Sequence, residues 1–173
     1  YSLTVLKAVL YERTDEDAKA RQSLVNLFSE LLKREIKEED LSKLDFSDFS
    51  GLNSDRYLTI FIKAAQTYER LYSKSRDADD LKRSYSIFHT AANMFSEYYL
   101  KGRYNEALEK IYKQITEGLL NTAIENYKSA DPQWQPIIEL LENNQSRQYW
   151  TKFIQRNEYN LKKSFVLDEA LGT

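Results

Sequence analysis

One histidine, no cysteine and twenty-seven carboxylates bound the chemistry open to this 173-residue chain. Lack of thiols excludes disulfides, thiolate zinc sites, iron–sulfur clusters and cysteine nucleophiles. His89 stands beside Phe88, one position off an apolar stripe. There a half-buried, hydrogen-bonded histidine is the expected role rather than a ligand or base. Carboxylates gather at 15–17, 38–40 and 77–80, and Glu12/Glu16 and Glu35/Glu39 are spaced to share a helical face. A di-metal carboxylate bundle needs two Glu-x-x-His pairs, which one histidine cannot supply. Asp77-Ala78-Asp79-Asp80 lacks the glycine and distal glutamate of a calcium loop. Gly51, Gly102, Gly118 and Gly172 lie too far apart to cradle a phosphate, and no serine sits in a nucleophile elbow. Acids at helix starts account for the carboxylate groups. The reading is therefore no enzyme, no metal and no cofactor.

The unusual chemistry is aromatic: thirteen Tyr, eight Phe and two Trp, several Tyr beside Lys or Arg. Protein interfaces draw their hot spots from Tyr, Trp and Arg, and single-stranded nucleic acids stack on the same mixture. Net charge separates the two. The formal charge is −2, far from the basic excess that phosphate binding demands. It is uneven, with eleven acids against seven bases over 12–48 and five bases against Glu158 over 147–163. A nucleic-acid surface has one plausible place, the segment carrying Arg147, Tyr149, Trp150, Lys152, Arg156 and Lys162.

Four Gly and two Pro in 173 residues disfavour an all-β fold, which needs frequent turns. Periodicity supplies helices instead. Leu3, Leu6, Val9 and Leu10 outline a short core helix; no basic region or cleavage site marks it as a signal peptide. Thr14 then reads as the N-cap of a second helix, with Asp15, Glu16 and Asp17 in its first turn. That helix runs to about Lys37 on a stripe of Leu24, Leu27, Phe28, Leu31 and Leu32. Residues 38–54 break the pattern, and the expectation is a helical turn followed by a loop pinned by its aromatics. Asp55 caps a third helix on Leu58, Phe61, Ile62, Ala65, Tyr68 and Leu71. After a polar break over 73–80, a fourth follows on Leu81, Tyr85, Phe88, Ala92, Phe95 and Tyr99. A fifth runs from Tyr104 to about Tyr127, where Gly118 marks either a close helix crossing or a bend. Asp131-Pro132 is a boundary, beyond which short helices carry both tryptophans.

A weak repeat at an offset of 27 aligns Ala64–Arg76 with Ala91–Arg103: small residues early, aromatics late, a basic helix exit. Within the second copy, Tyr98, Gly102, Tyr104 and Ala107 resemble the inter-helix turn of a tetratricopeptide repeat. Phe95, Ala91 and Gln114 depart from that pattern, and its 34-residue period is absent. The same segment, with Leu108, Tyr112, Ile115, Leu119 and Leu120, is similar to the first two helices of the microtubule-interacting-and-trafficking domain. Here Pro132 and Pro136 interrupt what would be its third. Both resemblances imply binding of a peptide or helix in an inter-helical groove.

The sequence thus predicts an all-α fold of about seven helices in antiparallel hairpins, a helical bundle or short TPR-like array. Residues 1–130 would form the bundle, with 131–173 as an extension packed on it or on a partner. The expected function is a cytoplasmic scaffold or adaptor binding another protein in an apolar groove walled by helices three to five. Its polar contacts would come from Tyr68, Tyr72, Arg76, Tyr99, Lys101 and Arg103. A nucleic-acid module and a subunit of a larger assembly are the alternatives. No stretch reaches the eighteen apolar residues of a membrane-spanning helix.

Overall fold

The computed structural model describes residues 1–49, 51–52 and 55–100, with backbone alone at 55 and 96–100, and then positions 110–111, 113–115, 117–119, 121–122 and 125. Helices α1 (Ser2–Arg13), α2 (Asp17–Leu32), α3 (Asp55–Ser75) and α4 (Ala78–Leu100) are joined by two 3-10 helices, Glu38–Lys43 and Phe46–Phe49. No strand occurs among the described residues, and those between 110 and 125 are helical. Short connections fold α1 back on α2 and α3 back on α4 as antiparallel pairs, and α1 also packs on α3. Among the described residues no helix is long and apolar enough to cross a membrane.

The clearest amphipathic stripes go to the core as their periodicity requires. Leu24, Leu27, Phe28 and Leu31 of α2 are buried, as are Leu58, Phe61, Ile62, Ala65, Tyr68 and Leu71 of α3. Phe28, Phe49 and Phe61 meet edge to face, with centroid separations of 6.3 Å (28–49), 5.3 Å (28–61) and 5.2 Å (49–61). Phe49 thereby pins the irregular segment, which is two 3-10 helices rather than a turn and a loop. Leu41 is buried beside it, and the Leu44 amide donates to Ser86 Oγ at 3.0 Å.

Several boundaries differ from the sequence reading. Thr14 closes α1 instead of opening α2: its hydroxyl donates back to the carbonyls of Leu10 and Tyr11 at 3.0 and 3.2 Å. Glu16 takes the N-cap position of α2 without a side-chain cap, so Asp17 is the only acid in that first turn. The second helix ends at Leu32, five residues early. Lys33 adopts φ 54°, and the Arg34 amide reaches the Ser29 carbonyl at 3.2 Å, which closes the C-terminus. The polar break between α3 and α4 shrinks to Arg76 and Asp77, with Arg76 at φ 55° making the turn.

The face of α1 is the largest correction. Leu3, Leu6 and Leu10 are exposed, while Val5, Ala8 and Glu12 are buried. Apolar residues lie on both sides of this helix, so periodicity cannot choose a face. An ion pair chooses it. Glu12 turns inward to Arg70 Nε and, at 2.8 Å, to Lys74 Nζ, which also donates to the Glu12 carbonyl at 2.8 Å. Small, fully buried Ala8 lets the helix approach closely on the same side.

Gly118 makes a close crossing. A Cβ built there would overlap the ring of buried Phe88 from α4. Gly118→Ala is therefore expected to lower stability by about 1–3 kcal/mol, the usual cost of overpacking. Phe88→Leu in the same chain should restore part of that loss in thermal melts.

Candidate functional site

Two surfaces merit a functional reading, and an ion-pair network beneath the fold positions the elements that carry them. Asp80, in the first turn of α4, has a side chain with no exposure. Arg21 of α2 grips it with both terminal nitrogens at 2.5 and 2.6 Å. Arg83 Nη1 adds a bond of 2.9 Å and the Ser75 hydroxyl one of 2.8 Å. Burial alone would push the Asp80 carboxyl up; the Arg21, Ser75 and Arg83 bonds outweigh it and hold it below the ordinary carboxylate range. Glu38 completes the network, accepting from the Tyr68 hydroxyl at 3.1 Å and lying 3.3–3.4 Å from Arg83 and Arg21. Four segments are thus tied at one end of the core. Two cations meet two anions, and every named group has partners.

The first surface is a cleft of about 360 Å³ between α3, α4 and the helical residues near 118. Its described lining is largely polar. Gln66, Glu69 and Arg70 face Gln114, Glu117 and Asn121 across a floor of Phe88 and Gly118.

The second surface is the outward side of α1. Leu3, Leu6 and Leu10 are 65%, 46% and 54% exposed, and they follow an i, i+3, i+7 spacing on one face. Single exposed leucines are ordinary; a continuous stripe on the order of a few hundred Å² is in the class that often marks an interaction site. The helical repeat places Lys7 and Arg13, three residues either side of Leu10, about 60° to opposite flanks of it. Both cations are exposed, and neither makes an ion pair among the described residues.

Of the partner-contact residues singled out from sequence, the structure describes the side chains of Tyr68, Tyr72 and Arg76. Tyr68 is fully buried, with its hydroxyl on Glu38 and its ring beneath Arg83 at 5.9 Å. Tyr72 is half-buried, and the exposed Arg76 guanidinium lies 5.5 Å from its ring. Tyr99 is described by its backbone only, as part of α4. Lys101, Arg103 and the basic–aromatic set Arg147, Tyr149, Trp150, Lys152, Arg156 and Lys162 lie outside the described residues, as do Gly102, Tyr104, Ala107 and the boundary at 131. His89 is half-buried and stacks on Tyr85 at 5.7 Å. No group of three or more potential metal ligands occurs among the described residues.

Sequence reasoning missed Glu12, Arg21, Asp80 and Arg83 as structural residues, because the Arg21–Asp80 and Glu12–Arg70 partners stand 59 and 58 positions apart. Only Asp80 and Arg83 share a helical face, and their i, i+3 spacing is the one available signal. No protein-family model matches the chain, and no curated protein or solved structure matches it significantly. The structure supports an all-helical domain of packed antiparallel helix pairs, as in helical-hairpin folds in general.

Proposed function

We propose that this domain is a non-catalytic protein-interaction module, an adaptor that docks a partner along α1. The exposed stripe of Leu3, Leu6 and Leu10 carries this reading, since water is a poor environment for three aligned leucines and a partner helix a good one. The adaptor role itself agrees with the groove-binding families that the Tyr98–Ala107 segment resembles. The surface differs: α1 offers an apolar face, whereas the cleft beside α3 is polar.

The test compares wild type with a triple variant, Leu3→Ser, Leu6→Ser and Leu10→Ser, as baits in native extract treated with nuclease. These side chains already face solvent, so the melting temperature should stay within a few degrees. Proteins captured by wild type should fall at least tenfold on the variant. Equal capture by both baits would reject α1 as the interaction surface, and loss of all partners on nuclease treatment would favour the basic C-terminal segment instead.

A further inference from the structure

Resting on the reading of α1 as a docking face, we infer that its occupant is an amphipathic helix with acidic residues on both flanks of its apolar seam. Shape points to a helix. Leu3, Leu6 and Leu10 lie along one straight face of a twelve-residue helix, with the three-and-four spacing that fits knobs of a second helix between them. Charge points to acids. Lys7 borders the stripe on one side and Arg13 on the other, both exposed and both without an ion pair among the described residues. The acids close in sequence are already committed: Glu12 is turned inward to Arg70 and Lys74, Asp15 and Asp17 pair with Lys74, and Glu16 pairs with Lys19. Within α1, Lys7 and Arg13 are therefore the exposed charges that border the stripe, and an incoming helix gains by bringing carboxylates to both.

The same geometry disfavours a second copy of the chain. An antiparallel two-fold pairing that sets Leu3 against Leu10 centres on Leu6 and Lys7, which brings the two Lys7 ammonium groups together.

The decisive probe is a pair of synthetic 21-residue helical peptides with identical leucine seams, one with Glu and one with Lys at the flanking positions, titrated by fluorescence anisotropy. The Glu peptide should bind the wild-type chain about tenfold more tightly than its Lys twin at low salt, and 0.5 M salt should narrow the gap. Lys7→Glu with Arg13→Glu should reverse the preference, and Leu6→Ser should weaken both peptides about tenfold. Equal binding of both peptides, lost with Leu6→Ser, would overturn the acidic-partner inference and leave the docking reading standing. Failure of both peptides would overturn the inference too. Light scattering that then showed a dimer dispersed by Leu6→Ser would assign the face to a second copy. The extract experiment above decides the docking reading independently.

Discussion

Asp80→Ala is expected to destabilise the domain by about 3 kcal/mol, because it strands Arg21 and Arg83 near the core without their shared anion. At this chain length that corresponds to a fall in melting temperature of roughly 10 °C. Arg21 is a quarter exposed and can recruit water, which keeps the cost at the lower end for a broken buried pair. Arg83 retains Glu38, both through the carboxylate at 3.3 Å and through its backbone carbonyl at 3.2 Å. The double variant Arg21→Met with Asp80→Leu should therefore recover much of the loss, since it removes, together with its partner, the cation left with only a 3.4 Å contact to Glu38. A double variant as unstable as Asp80→Ala would show that the cost lies in packing rather than in charge.

Two buried, ion-paired carboxylates set an acid response. Asp80 is held below its ordinary range against the opposing effect of burial, and so is Glu12, where the Lys74 and Arg70 bonds outweigh burial. Both carboxyls bind protons less readily in the folded chain than in the unfolded one. Their contribution is complete above the unfolded values near pH 4 and is lost as pH falls through the lower folded values. Thermal melts between pH 7 and pH 3 should show a steep decline below about pH 4.5 for wild type. Asp80→Asn should start lower and decline less. Parallel curves for the two proteins would remove Asp80 from the acid response.

Phe49→Ala should cost about 3–5 kcal/mol, the range for emptying a buried aromatic site. Its ring fills the space between α2 and α3, where it meets Phe28 and Phe61 edge to face. A backbone feature makes the effect local as well as global: Phe49 belongs to a four-residue 3-10 helix with little stability of its own. Native-state hydrogen exchange should therefore show amides of 44–49 opening far more often, while α2 and α3 lose protection only in step with the global change. Phe49→Leu should retain most of the stability. Uniform loss of protection along the chain would mean that the segment does not unfold as a separate unit.

How much was legible depended on where each constraint acts. In α2 and α3 the apolar residues return every three or four positions against polar neighbours, so Leu24, Leu27, Phe28 and Phe61 could be assigned to the core without coordinates. Phe49 could be recognised as an anchor because large apolar side chains in an aperiodic segment need somewhere to go. Thr14 was misplaced by a rule that is locally ambiguous, since a hydroxyl can satisfy carbonyls behind it as readily as amides ahead. Gly118 announced a choice between a bend and a close crossing, and only Phe88, thirty residues earlier in the chain, decides it.

Local periodicity, scarcity of turn-formers and absence of thiols determined an all-α protein without thiol chemistry, along with most of two core helices. Tertiary structure alone decided which side of α1 faces water, because Val5 and Leu6 are equally apolar and the selector is a buried carboxylate meeting Arg70 and Lys74 from α3. It also decided that the cleft beside α3 has a largely polar described lining and that, among the described residues, Leu3, Leu6 and Leu10 of α1 stand exposed. The physical reason is one of range. Helix formation is written in contacts three and four residues apart, whereas the site follows from ion pairs and a ring-on-glycine contact between residues far apart in the chain.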